Sequence, residues 1–318
     1  MLSAFKTTKF ASVMMLLFVL ATGCEKWKNF YPHGGTKNKT IAQIVSANDD
    51  YKLLKLALVK TGLIDAVSQP GSLTVFAPDN AAFAAAGFPN AAAINSADVE
   101  VLKSILLYHV VDSKITSGQI PVADNTPVPT LAAKDIFVTK KNGKVSVNGV
   151  PVVAADIIAS NGVIHGISKV LIPPTGNIVE VAQGNANFTY LVAAVLRASQ
   201  GSTNVAAVLS GAGPYTVFAP VNQAFINAGF PTIESINSAD PATLTSILTY
   251  HAVAARVFSA NLVNNAAVTT LNGGKVTIKL NGGAKVKGKS NSSASNIVIT
   301  DLIATNGVVH VIDQVLLP

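Results

Sequence analysis

The chain is poor in the residues that carry chemistry. Among its 318 residues there is one cysteine, Cys24. No disulfide can therefore form within the chain, and a metal site built from several cysteines is excluded. Charged residues make up 12%, against roughly 25% in a typical globular domain, so Asn, Ser, Thr and Gln must supply much of the polar surface. There is no Gly-x-Ser-x-Gly elbow, His-Glu-x-x-His pair or EF-hand loop, which removes several common motif-bearing enzyme classes. Gly211-Ala212-Gly213-Pro214 lacks the third glycine of a dinucleotide fingerprint. No Arg-Gly-Asp tripeptide occurs either. What the chain has is apolar bulk, 49% of its residues, enough for sizeable cores and too much for disorder.

The first residues read as a targeting segment. Lys6 and Lys9 form a basic start. Phe10 to Ala21 is apolar except for Ser12 and too short to span a bilayer as a helix. Ala21, Thr22 and Gly23 then lead to Cys24. This resembles a bacterial lipoprotein signal, which implies removal of residues 1–23 and a lipid thioether on Cys24, enough with further acylation to anchor the protein. An ordinary secretory signal with an incidental cysteine is the other reading. Residues 24–39 read as a tether whose Trp27, Phe30 and Tyr31 suit a membrane interface or the first domain's surface. The formal charge of +7 falls to +5 once Lys6 and Lys9 are gone. That is too modest to indicate nucleic-acid binding, which calls for a dense basic stripe with aromatic partners.

The rest of the chain says the same thing twice. Thr74-Val75-Phe76-Ala77-Pro78 returns 142 residues later as Thr216-Val217-Phe218-Ala219-Pro220. Asn80 and Phe83 return as Asn222 and Phe225, and Tyr108-His109 as Tyr250-His251. Asn161-Gly162-Val163-Ile164-His165 returns as Asn306-Gly307-Val308-Val309-His310. A period this long marks tandem domains rather than a solenoid. The boundaries fall at 40–174 and 177–318, with a short, semi-rigid Pro-containing linker between them.

Within each copy, helical periodicity comes first and strands later, which is an α+β pattern. Asn80 is expected to cap the helix that follows the Leu73–Ala77 strand. Asp79, with Val221 as its counterpart, is expected to be solvated. Lys141-Asn142-Gly143 predicts a hairpin turn.

The three signatures, Thr-Val-Phe-Ala-Pro-x-Asn-x-Ala-Phe, Tyr-His after an apolar helix, and Asn-Gly-Val-Ile-His (with Val309 for the Ile in the second copy), occur in order in both copies. Together they resemble the fasciclin-like domain, over about residues 40 to 318. The resemblance implies two wedge-shaped β-sandwiches of about seven strands with packed helices, no cofactor, and a secreted or surface-anchored adhesion or matrix role.

The residues that could carry chemistry are few. His109 and His165, like His251 and His310, could meet within one domain, but two imidazoles do not make a closed zinc site. Structural histidines bonded to backbone are the expectation, so no metal or catalytic residue is assigned. Tyr108 and Tyr250 suit either a core-closing ring or a ligand contact. Asp156 and Asp301 recur without a second carboxylate, which leaves capping or turn stabilisation. Asn80, Tyr108, His109, His165, Asn222, Tyr250, His251 and His310 are thus family-motif residues with structural roles. Lys275, Lys279, Lys285, Lys287 and Lys289 stand apart, because their near-even spacing would put several on one hairpin face. Such a face suits polyanion binding or a solvated strand edge.

The expected function is therefore non-catalytic: a protein held in the cell envelope by lipid on Cys24, periplasmic or at the cell surface. It would bind an envelope or extracellular protein or glycan. A carbohydrate- or small-ligand-binding module of an uptake system is the alternative, which an aromatic-lined pocket would favour.

Overall fold

The computed structural model describes Thr36 and residues 38–318. The targeting segment, Cys24, the tether aromatics and His33 lie outside the described residues.

The first domain opens with α1 (Ile41–Ala47) and α2 (Lys52–Lys60). Thr40 and Gln43 form a capping box on α1, and Asn48 caps the 3-10 turn before α2. Strand β1 (Leu73–Pro78) leads into α3 (Asn80–Ala85), α4 (Ala91–Ser96) and α5 (Val99–Tyr108). The strands β2 (Val110–Val111), β3 (Thr126–Pro129), β4 (Asp135–Lys141), β5 (Lys144–Val147), β6 (Val150–Ala159) and β7 (Gly162–Ile167) follow.

The second domain repeats this order. Its helices are α6 (Ile178–Gln183), α7 (Thr189–Ala198), α8 (Val205–Ser210), α9 (Asn222–Asn227), α10 (Ile233–Asn237) and α11 (Pro241–Tyr250). Its strands are β8 (Tyr215–Pro220), β9 (Ala252–Val253), β10 (Ala267–Thr269), β11 (Lys275–Lys279), β12 (Lys285–Lys287), β13 (Ser295–Ala304) and β14 (Gly307–Ile312).

Each domain is one seven-stranded ladder, in the order β2-β1-β7-β6-β5-β4-β3 and its counterpart β9-β8-β14-β13-β12-β11-β10. The central pairs β1–β7 and β8–β14 are parallel and all others antiparallel. A parallel strand covered on both faces reads as an unbroken apolar run. Val75 and Ala77 accordingly point into a core built with the helices, while Phe76 points into a second core among the strands. Val217, Ala219 and Phe218 divide the same way.

The ladder bends at β6. Register shifts fall between Val152 and Ala154 and between Ala154 and Ile157, with Asp156 at φ 58°. A bulge of this kind kinks the strand, so Val152–Ala159 pair with β7 while Val150 and Pro151 pair with β5. Asp301, at φ 64°, marks the same bend in β13.

Two capping expectations need correction. The cap of α3 is Asp79, whose carboxylate accepts the Ala82 N–H, so Asp79 is not simply solvated. The chain is still extended at Asp79 (ψ 178°), which places the cap one residue before Asn80. Asn80 instead turns its amide onto the preceding helix, accepting from Leu53 N–H and donating to the Asp49 carbonyl. Asn222 does the same with Tyr190 and Ala186. At the other cap position Val221 offers no acceptor. Asp156 and Asp301 stabilise turns as expected, though distant ones: each sits at its strand bulge and its carboxylate accepts the N–H of Ser117 or of Ser259, the first residue of a 3-10 turn.

Candidate functional site

The motif residues converge within each domain and are spent on the chain's own backbone. His109 ends α5 with its Nδ1 2.8 Å from the Ile105 carbonyl, and its Nε2 accepts the Leu171 N–H at 2.9 Å. A ring that donates from one nitrogen and accepts at the other is neutral. Burial pushes its pKa down to about 4, against the backbone bond to Ile105. His251 matches it, between Ile247 and Leu316, and burial again takes its pKa down to about 4.

His165 accepts the Asp156 N–H at Nδ1 and donates from Nε2 to the Ile115 carbonyl. His310 is placed identically on Asp301 and Val257. Burial lowers both pKa values, opposed in part by the neighbouring aspartates.

A Ser–Asp–His set is therefore present in both domains but wired for structure. Ser117 Oγ donates to the Asp156 carboxylate, which also accepts the Ser117 N–H at 2.7 Å. Ser259 and Asp301 repeat this. A hydrolytic serine must instead be bonded to the imidazole that takes its proton, and both imidazole nitrogens here are engaged elsewhere. Among the described residues no group of three or more His, Cys, Asp or Glu could hold a metal ion.

Tyr108 and Tyr250 are fully buried. The Tyr108 hydroxyl donates to the Asp135 carbonyl and accepts from Asn148, while burial pushes its pKa up to about 12. The Tyr250 hydroxyl donates to the Lys275 carbonyl and accepts the Lys289 N–H. Both rings close the strand core, and neither reaches a surface.

The Tyr–carbonyl bonds also fix the correspondence between the domains. Asp135 matches Lys275, so on the outer face Phe137 matches Thr277 and Thr139 matches Lys279. Ser146, opposite Thr139, matches Lys285, opposite Lys279. In domain 1 this face receives domain 2. The Arg256 guanidinium carbon sits 4.0 Å from the centre of the Phe137 ring, and Phe258 packs against the same ring at 6.2 Å. Asn125 donates to the Arg256 carbonyl at 2.6 Å. Arg256 Nη1 donates to the Gly307 carbonyl at 2.7 Å, holding the guanidinium in place. Thr139 and Ser146 are buried, at 5% and 8% exposure. At Gly149, where φ is 78°, a Cβ would lie 2.8 Å from the Asp301 carboxylate, so glycine is favoured where this turn meets domain 2.

In domain 2 the same face is a lysine surface. Lys275, Thr277 and Lys279 alternate with the buried Val276 and Ile278, and Lys285 and Lys287 flank the buried Val286. Lys279 stands directly opposite Lys285, and Thr277 opposite Lys287. Lys289 lies just beyond the strand. The one ion pair among the described residues is Lys52 with Asp49, so none of these lysines has a carboxylate partner there.

The residues that join the domains, Arg256, Phe258, Phe137 and Asn125, were not legible from either copy read alone. The signal lay in the differences between copies. Thr216 bonds flank Arg256 as Thr74 bonds flank Lys114, which pairs Arg256 with Lys114 and Phe258 with Thr116.

The fasciclin domain family model matches residues 49–173 and 186–318. The chain belongs to the fasciclin domain family. It is 30% identical over 258 residues to pig transforming growth factor-beta-induced protein ig-h3, covering 78% of this chain and 35% of that protein. The chain thus spans about a third of that relative's length. It is 40% identical over 137 residues to the Synechocystis protein sll1483, covering 42% of this chain and 74% of the relative. A solved FAS1 domain pair from the insect cell adhesion molecule fasciclin I superimposes with a TM-score of 0.40 at 18% identity, covering 84% of this chain and 96% of that one. Both fasciclin domains keep their family signatures for packing, and the surface that separates them is the outer sheet face. No helix among the described residues is long and apolar enough to cross a membrane.

Proposed function

We propose that this fasciclin protein is a non-catalytic, lipid-anchored component of the cell envelope that acts by adhesion or matrix binding. The observation that carries this reading is the use of every recurring His, Asp and Tyr by its own domain. Each closes a bond to nearby backbone or a neighbouring side chain, leaving the surface as the means of action. The domain pair supports it further, since Arg256, Phe137 and Phe258 hold the two units in one orientation. A fixed pair on a lipid tether presents one defined face outward.

A cleft of about 550 Å³ between the domains, lined by the linker, β13 and Val181, is large enough for a small ligand. It has no aromatic lining residue, so it lacks the stacking surface a sugar-uptake module would use.

The test pairs cell adhesion with localisation. Cells bearing the chain should attach to matrix-coated surfaces more strongly than cells lacking it. Cys24→Ser should release the protein into the soluble fraction and abolish the difference. Attachment that is equal with and without the protein would sink the adhesive reading, and a Cys24→Ser protein still bound to membrane would sink the anchor.

A further inference from the structure

We propose that the outer face of the β11–β12 hairpin binds a linear anionic polysaccharide, one bearing carboxylates or sulfates along its length. This inference rests on the adhesive reading and names its surface.

Three observations carry it. First, the corresponding face of domain 1 is an occupied interface, where Phe137 and Thr139 meet domain 2 and the neighbouring Ser146 is buried. Domain 2 keeps the same face, leaves it exposed at Lys275 and half-exposed along the rest of β11 and β12, and replaces those residues with Thr277, Lys279 and Lys285. Second, the lysines form two rows. On β12, Lys285 and Lys287 are two residues apart, about 6–7 Å; on β11, Lys275 and Lys279 are four apart, about 13 Å, with Thr277 between them; the rows lie about 5 Å apart. Lys279 and Lys285 are directly opposed, an arrangement that destabilises a hairpin. Lys279 Nζ reaches only a neutral oxygen, Asn265 Oδ1 at 2.8 Å. An anionic group lying between the rows would turn that repulsion into attraction. Third, the face offers nothing else. Its apolar residues point inward, so no wedge is available for a bilayer. It carries no aromatic ring for stacking on a base or a neutral sugar. It carries no arginine for bidentate phosphate contacts. Rows of point charges on a flat sheet suit repeated, singly charged groups on an extended chain.

The test uses the full chain in detergent, with dextran sulfate as the probe, neutral dextran as its uncharged match, and phosphatidylglycerol vesicles as the lipid arm. Dextran sulfate should bind with a Kd that rises steeply between 50 and 300 mM salt, roughly one released counterion per lysine engaged. Replacing Lys275, Lys279, Lys285 and Lys287 with Gln should weaken binding at least about tenfold. The same four-charge change at Lys52, Lys55, Lys141 and Lys144 should leave Kd within about twofold. The single change Lys279→Glu, which faces Lys285, should weaken binding while leaving the domain's Tm unchanged or higher, so loss of binding cannot be assigned to unfolding. Equal weakening by both four-lysine sets, equal binding of neutral dextran, or binding of vesicles without dextran sulfate would each overturn the proposal. If cells adhere and the quadruple variant adheres equally, the lysine face fails and the adhesive reading stands. If the lysines bind dextran sulfate but the chain supports no adhesion, the adhesive reading fails and the site stands.

Discussion

The two domains share their helices, ladders and buried polar networks almost residue for residue, yet use one face in opposite ways. In domain 1 the β4–β5 face is Phe137, Thr139 and Ser146, with Phe137 and Thr139 met by Arg256, Phe258 and Asn261. In domain 2 the same face is mostly lysine and at least half-exposed. A head-to-tail contact of this type does not close on itself. Here it ends after one step, because domain 2 has Thr277 where the receiving ring would be and domain 1 has Lys114 and Thr116 in place of Arg256 and Phe258. Interiors are held fixed by packing, and small changes on one face decide whether it meets a neighbour or the surroundings.

The comparison can be broken hardest in the cores. Phe83 and Phe225 are buried to 0% and 1% exposure at matching places. Phe83→Ala and Phe225→Ala should each cost about 3–5 kcal/mol, read by urea unfolding. A difference of more than about half that range between them would show that the two cores are not equivalent.

The buried histidines set the next largest effect. His109 and His251 have pKa values lowered to about 4 by burial, against about 6.5 when unfolded. The unfolded chain therefore binds the extra proton first as pH falls. Stability is intact above pH 6.5 and is lost progressively down to about pH 4, by on the order of 3 kcal/mol per histidine. Unfolding free energies between pH 7.5 and pH 4 should show this fall equally in both domains. A flat profile would mean that the rings are not held neutral.

The interface comes third. Arg256→Ala removes a desolvated cation–ring contact and should cost about 1–2 kcal/mol of coupling between the domains. Its counterpart Lys114→Ala should cost under about 0.5 kcal/mol. Calorimetry should show the Arg256→Ala protein unfolding in two separated steps and Lys114→Ala unfolding as the parent does.

The smallest effect lies at a cap. Asp79→Ala should destabilise domain 1 by about 1 kcal/mol, while Val221→Asp should stabilise domain 2 by a similar or smaller amount. If Val221→Asp does nothing, the helix geometry at the two caps differs more than their dihedral angles suggest.

Much of this was legible in the sequence. The repeat announced two α+β domains, and the three signatures named their family before any coordinates. The even spacing of Lys275, Lys279, Lys285 and Lys287 placed them on one face of a hairpin, as the β11–β12 register shows. Other features depended on tertiary geometry. The cap at Asp79 instead of Asn80 turns on one extended residue and on where α2 lies. The carboxylates of Asp156 and Asp301 bond to serines about forty residues away, a pairing no local pattern encodes. Arg256 gave no sign of its role, because a single arginine in a loop looks the same whether it meets solvent or a phenylalanine ring in another domain.

The central claim is that the first domain's sheet face is committed to the second, fixing the pair. Ser104 and Ser246 are exposed at matching positions on α5 and α11. Spin labels on Ser104→Cys and Ser246→Cys, in a Cys24→Ser background, would report the distance between the domains. One narrow distance distribution is expected, broadening when Phe137→Ala and Arg256→Ala are combined. A distribution already broad in the parent, and unchanged by those substitutions, would contradict it.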